Sequence, residues 1–178
     1  GKKPEFINGF RITGKDNITI IDEVLTRVNR QIVKDRKSLG GRAKGMLGRN
    51  DIIRVRKHTK FGDIGFVGEI TSVNSYKILE ELKKDNIPVI TPLGIGKDGN
   101  FYNVNADQAA ASIAVSLKSE KLALLTNVPG VLKDNEIIHT LNISKVKLLI
   151  RKGIITGGMI PKIKACITAV IGGVKKAH

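Results

Sequence analysis

Tyr102-Asn103-Val104-Asn105-Ala106-Asp107 leads into an Ala-rich stretch that continues to Leu117, and then into Leu122-Ala123-Leu124-Leu125. The first six residues read as a strand end passing into a helix start. Asn105 or Asn103 can cap that helix, since a short amide oxygen can accept from an orphan N–H of the first turn. Ala106 to Leu117 reads as helix. Lys121 to Val128 reads as a continuous apolar strand of the kind buried on both faces of a parallel sheet. A helix from Ser144 to Lys152 follows, and Gly157-Gly158 opens a last helix from Met159 to Ile171. Strand and helix alternating in this way predict an α/β fold, a three-layer αβα sandwich on a mostly parallel central sheet.

Upstream, Phe6 to Thr13 reads as an extended entry segment. Ile18, Ile21, Val24, Leu25, Val28 and Ile32 recur at helical spacing, which predicts a helix over Asn17 to Lys37. Asp16 or Asn17 can cap it, and Gly40-Gly41 ends it. Ala43 to Leu47, Ile52 to Lys57 and Gly65 to Ser72 read as short strands, with turn chemistry at Phe61-Gly62-Asp63 that predicts a β-hairpin region. Ser75 to Lys84 reads as a second helix. Ile87-Pro88-Val89-Ile90-Thr91-Pro92 reads as a strand whose prolines place it near an edge or a strand end. Gly94-Ile95-Gly96-Lys97-Asp98-Gly99 matches a dinucleotide-loop pattern, but the extended Asn100 to Val104 follows it where a helix should. A turn between two strands is the better reading. Lys97 is followed by Asp98, so there is no P-loop.

With 178 residues the chain can bury one sizeable core, and nothing in it repeats. The formal charge of +15 raises the prospect of an anionic partner. Nucleic acid is disfavoured: there are only five Phe, two Tyr and no Trp to stack on bases. The densest basic run, Arg49 to Lys60, alternates with Ile52, Ile53 and Val55, as an amphipathic strand with a solvated face does. Cys166, the single cysteine, lies in an apolar helical run and reads as a buried thiol. His58, His139 and His178 lack ligand spacing and read as surface or loop residues; no metal ligands are assigned. No apolar stretch is long enough to span a bilayer and no signal-peptide pattern opens the chain, so a cytoplasmic or plastid stromal setting is expected.

Two segments carry chemistry. Asn103 and Asn105, two residues apart on an extended segment, share a side, and Asp107 falls in the first helical turn, where the helix dipole favours an ionised carboxylate. This groups amide donors and one fixed anion at a strand end, where open α/β sheets bind ligands. In Ile154-Ile155-Thr156-Gly157-Gly158-Met159-Ile160-Pro161-Lys162, a glycine pair at a helix start exposes backbone N–H groups to an anion, with Lys162 in reach. Each motif also reads as a plain cap.

Taken together these residues resemble the amino acid kinase superfamily, and within it the acetylglutamate kinases. The resemblance runs along the whole chain: Phe6-x-x-Gly9-x-Arg11-x-Thr13, Gly41-x-Ala43-x-Gly45-x-x-Gly48, Gly62 to Glu69, Ile87 to Ile90, Tyr102 to Asp107, Leu124 to Leu132 and Gly157 to Lys162, in that order. It implies the amino acid kinase fold and transfer of a phosphoryl group from ATP, with Mg²⁺, to the side-chain carboxylate of N-acetyl-L-glutamate, a step of arginine biosynthesis. It also implies roles. Arg11 would hold the α-carboxylate, with Asn103 and Asn105 beside it. Lys162 would neutralise charge on the transferred group, and Asp107 would orient it. Thr126, Asn127, Val128 and Gly130, with Ile155, Thr156, Gly157, Gly158 and Met159, would line the nucleotide site. Asn127 stands where the family more often has Asp.

A carboxylate nucleophile, with a pKa near about 4.3, is already ionised at neutral pH, so no poised histidine is needed. The difficulty is anion meeting anion, which calls for cations and N–H donors. Residues 1–95 are expected to form mainly the acetylglutamate-binding part of a single domain, and 96–178 mainly the ATP-binding part. The chain opens without Met and ends soon after an apolar helix, so it is expected to be cut at both ends, without the family's N-terminal lysine strand and glycine-rich loop, and inactive alone. A homo-oligomer is expected, and regulation by arginine or a signalling protein is open. The rival readings are a kinase for aminoadipate carried on a protein and a basic nucleic-acid-binding module.

Overall fold

A computed structural model describes residues 5–7, 10–134 and 136–178. The opening Gly1 to Pro4, and Asn8 and Gly9 of the entry segment, lie outside them. The chain is α/β, with five helices and mixed sheets among the described residues.

A short antiparallel pair, β1 (Phe6–Ile7) and β2 (Phe10–Arg11), leads to α1 (Lys15–Ser38). The helix starts two residues earlier than its apolar periodicity predicts, and its N-cap is Gly14, with no side-chain cap, rather than Asp16 or Asn17. Asp16 lies inside the first turn, where its charge meets the positive helix end. Gly40, at φ 76°, ends the helix as expected. Buried Asn29 donates to the Val89 carbonyl at 2.7 Å, so α1 is tied to the sheet beneath it without an orphaned amide.

β3 (Ala43–Leu47) pairs in parallel with β6 (Ile87–Thr91), whose Pro88 sits in a two-stranded sheet where one missing N–H is tolerated. The central sheet runs β5 (Gly68–Val73), β4 (Ile53–Lys57), β7 (Leu93–Gly96), β8 (Phe101–Asn103). The β4–β5 and β7–β8 pairs are antiparallel hairpins and β4–β7 is parallel. The glycine-rich stretch at 94–99 is therefore the hairpin turn, not a dinucleotide loop. Gly99 takes φ 77° there, and Asp98 accepts from Asn100 N at 3.1 Å and from the Tyr102 hydroxyl at 2.6 Å. In β4, Ile53 and Val55 are buried while Arg54, Arg56 and Lys57 face solvent, as the alternation predicts. α2 (Ser75–Lys83) covers this region with buried Ile78.

α3 (Ala106–Ser116) follows β8 after one turn, then β9 (Lys121–Leu122), a small hairpin of β10 (Leu132–Lys133) and β11 (Glu136–Ile137), α4 (Ile143–Arg151), α5 (Met159–Ile171) and β12 (Lys176–Ala177). One expectation fails here. The long buried strand over Lys121 to Val128 shrinks to two residues, and Leu125 is 95% exposed. Its ladder partner is β12, and the bonds of that ladder stop at Leu124 N to His178 O, so the apolar residues beyond are not built into a sheet. After α5, Val174 is buried and Lys176–Ala177 pair in parallel with β9.

Three cores result. Ile52, Ile53, Val55, Tyr102 and Val104 fill the space over the central sheet. Val146, Leu149 and Ile155 pack under α4. Between α3 and α5 the buried residues are Ala111, Ala114, Ala165 and Ala169. Alanines on both facing surfaces let two helices approach closely, because no long side chain holds the backbones apart.

Candidate active site

The close packing of α3 on α5 carries the N-terminal turns of both helices into reach of each other. Asp107, second residue of α3, and Lys162, fourth residue of α5, are 55 positions apart in sequence, and Lys162 Nζ donates to both carboxylate oxygens at 3.0 and 3.2 Å. Their side chains are only 18% and 27% exposed, so the pair is poorly screened by solvent. Asn105 settles the cap: its side chain accepts from Gln108 N at 3.1 Å.

Asn103 faces elsewhere. Its Nδ2 donates to Thr13 Oγ1 at 3.3 Å, and its backbone N to Phe66 O at 2.8 Å. Thr13 in turn exchanges backbone bonds with the Ile64–Phe66 segment: its N donates to Ile64 O at 3.1 Å, and Phe66 N donates to its carbonyl at 2.7 Å. Gly65, at φ 77°, lies directly against the Thr13 carbonyl, where a Cβ could not fit. The end of β2, the turn before β5 and the end of β8 are thus stitched at one point. Arg11 and Asn103 line a shared cavity of about 500 Å³ with Asn17, Ile21, Pro92 and Ala106.

A second cavity of about 660 Å³ lies on the α5 side, lined by Thr126, Gly130, Met159, Lys162 and Cys166 over an apolar floor that includes Val131 and Ile163. Its size and its mix of apolar walls with few polar groups are those of a small-molecule site. The start of α3 touches both sites through neighbouring residues: Ala106 lines the first cavity, and Asp107 holds the lysine of the second.

The other expected nucleotide residues are distributed unevenly. Thr156, Gly157 and Gly158 form the exposed turn before α5, with Gly157 at φ 51° and Gly158 as the N-cap. Ile155 is 2% exposed and packs its side chain with Val146 and Leu149, so only its backbone could meet a ligand. Asn127 and Val128 are exposed beside the cavity wall but do not line it.

Cys166, one helical turn beyond Lys162, is half-buried, and burial first, then the Asp107 charge, pushes its thiol up from the ordinary value. His58 is the exception to the surface reading of the histidines: it is 2% exposed, stacked on Phe61 at 5.2 Å, with Nε2 3.5 Å from Glu69. No sequence signal separated it from the other two. Thr13 is the functional candidate that sequence reasoning passed over as a site residue; its 0% exposure marks it.

Among the described residues no three His, Cys, Asp or Glu side chains are grouped to hold a metal ion, and no helix is long and apolar enough to cross a membrane.

The fold agrees with what the chain resembles elsewhere. The model of the amino acid kinase family matches residues 1–178, and the chain belongs to that family. Among curated proteins it is 45% identical over 179 residues to an acetylglutamate kinase of Pseudothermotoga lettingae, and 45% identical over 180 residues to that of Kosmotoga olearia. Both alignments cover 100% of this chain but 64% of the relative, so the chain spans about two-thirds of those proteins' length. Among solved structures, smu.665 from Streptococcus mutans superposes with a TM-score of 0.91 at 32% identity, over 99% of this chain and 72% of that one. The N-acetylglutamate synthase of Neisseria gonorrhoeae, bound to coenzyme A and N-acetyl-glutamate, superposes at 0.82 with 22% identity, over 97% of this chain and 40% of that one, a likeness of fold alone.

Proposed function

We propose that this chain is the greater part of a kinase that transfers the γ-phosphoryl group of ATP to the side-chain carboxylate of N-acetyl-L-glutamate. The observation that carries the reading is the Asp107–Lys162 pair, whose lysine lines the cavity of about 660 Å³, in a member of the amino acid kinase family. The acetylglutamate kinase relatives supply the substrate.

In this reading Arg11 takes the α-carboxylate, because its planar fork can bind two oxygens at once. Asn103 meets the same ligand, and Asn105 holds the turn between them. The side-chain carboxylate then points past Ala106 toward Lys162. Its oxygen attacks the γ-phosphorus; the new bond is O–P, the bond to the β-phosphate oxygen breaks, and ADP leaves with the electron pair. Lys162 offsets the charge spread over the transferred oxygens. Asp107 holds that ammonium in place so that little reorganisation is needed during the reaction. The cavity beside Thr126, Gly130 and Met159 has room for the nucleotide, and the exposed turn Thr156 to Gly158, just before α5, would meet its phosphates. Mg²⁺ would arrive bound to the phosphates and share in neutralising them. Residues 1–95 then serve mainly the acyl amino acid and 96–178 mainly ATP, with Asn103 crossing over.

The reading extends to assembly. Ile20, Val24, Val28 and Ile32 form a stripe along α1 at four-residue steps, each 39–57% exposed, which supports a homo-oligomer built on that helix.

The test is phosphoryl transfer from ATP to acetylglutamate, trapped as the hydroxamate, with the intact protein and a Lys162→Ala control. Turnover that collapses in the control supports the reading. A well-folded protein with no turnover removes free acetylglutamate and shifts the assignment to a carboxylate presented on a carrier protein. The 178 residues alone are expected to be nearly inactive; normal turnover by them contradicts that expectation.

A further inference from the structure

The hydroxyl of Thr13 sits where two candidate ligand contacts meet. The residue is fully buried, and its Oγ1 donates to the Arg11 carbonyl at 2.9 Å. A hydroxyl has one proton. With that proton on the Arg11 carbonyl, Oγ1 can only accept from Asn103, and Asn103 Nδ2 lies 3.3 Å away. The backbone of Thr13 is held from both sides by Ile64 and Phe66, and Phe66 O also holds Asn103 N, so neither partner is free to shift. The Asn103 amide must therefore turn its NH₂ toward Thr13, which leaves its carbonyl oxygen as the end available to the cavity it shares with Arg11.

We propose that Thr13 is a positioning residue: its hydroxyl locks the Asn103 amide so that an acceptor oxygen stands beside the Arg11 guanidinium, and the site selects ligands carrying an N–H next to a carboxylate. This rests on the acyl amino acid reading above and deepens it. An N-acylated α-amino acid has that pairing, a carboxylate and an amide N–H on the same carbon. A plain dicarboxylate or an N-methylated amide lacks the proton, and would leave the Asn103 oxygen desolvated and unpaired.

The experiment compares wild type, Thr13→Ser and Thr13→Val by calorimetric titration with acetylglutamate, N-methyl-acetylglutamate and glutarate. In parallel, the side-chain amide protons of Asn103 are followed by NMR exchange without ligand. Wild type and Thr13→Ser are expected to favour acetylglutamate over both analogues by about ten-fold, the worth of one hydrogen bond. Thr13→Val is expected to shrink that ratio to about two-fold or less through loss of acetylglutamate affinity alone, and to speed exchange of the Asn103 amide. Equal weakening of all three ligands in Thr13→Val makes the residue merely structural and overturns the proposal. Unchanged amide exchange overturns it whether or not any ligand binds. A slow-exchanging amide in a wild type that binds none of the three defeats the acyl amino acid reading, and the polarity assigned here falls with it.

Discussion

Removing the Lys162 ammonium should separate what the ion pair does for the fold from what it does for chemistry. In Lys162→Ala the Asp107 carboxylate loses an ammonium whose Nζ lies 3.0 and 3.2 Å from its two oxygens, in a pair whose carboxylate is 18% exposed before the change. A fully exposed pair is worth about 0.2–1 kcal/mol, and breaking a fully buried one costs about 3–5 kcal/mol. This pair lies between those limits. The stranded carboxylate keeps some support from the N-terminal dipole of α3. A stability loss of about 2 kcal/mol is therefore expected, and a Tm lower by about 4–8 °C for a chain of this size. The catalytic loss should be larger. Taking one preorganised cation from a developing phosphoryl charge costs about 10²–10³ in kcat. The assay is hydroxamate formation by the intact protein, run well below the lowered Tm so that unfolding does not contribute, alongside thermal melts. Asp107→Asn should show a comparable fall in Tm with a smaller loss of rate, about 10–100-fold, because the ammonium remains but is no longer held. A Lys162→Ala protein with the lowered Tm and unchanged kcat would refute the reasoning: the pair would then be a helix clamp only.

Gly65→Ala should destabilise by about 2–3 kcal/mol, since strain at positive φ adds to a clash with the Thr13 carbonyl, whereas Gly99→Ala, with open space around it, should cost about 1 kcal/mol; urea midpoints of the two variants test the difference. Asn105→Ala removes the α3 cap and should cost about 1 kcal/mol in the same assay. Burial and the hydrogen bond to Asp98 push the Tyr102 phenol up to about 12, so the folded state holds a proton that the unfolded state releases near 10. The stability from this group is complete below pH 10 and is lost as pH rises toward 12. A phenolate absorbance step near 12 should vanish in Tyr102→Phe, and wild type should lose more stability than that variant between pH 10 and 12. The same bond, with those from Asn100, holds the Asp98 carboxyl below its ordinary value, so its contribution is present at neutral pH and is lost as pH falls below about 4.

Much of this was legible in the sequence because it rests on local rules. The period of Ile18 to Ile32 on α1, the Ile53/Val55 alternation of β4, the turn at 96–99 and the Asn-Ala-Asp start of α3 each depend on a few neighbouring residues, and each element is present, with α1 starting two residues earlier than its pattern puts it. The glycine pair before α5 is likewise readable as a helix start. The expectation of charge neutralisation without a base came from the resemblance to the acetylglutamate kinases, since each motif alone also reads as a plain cap.

Tertiary structure decided the rest. Sequence cannot say that an apolar run has a strand to pair with, and Leu122 to Leu125 look alike as letters although Leu122 is buried and Leu125 is in solvent. It cannot distinguish the buried His58 from a surface histidine, because the difference lies in Phe61 and Glu69 folding over it. Asp107 and Lys162 become a pair only because alanines on α3 and α5 allow the two helices to close, across 55 residues of chain. The bond from Asn103 to Thr13 spans 90 positions. Local propensity acts over a few residues, so it can specify the pieces. Bonds between distant pieces depend on the packing of the whole, and those bonds determine which way each side chain of the site faces.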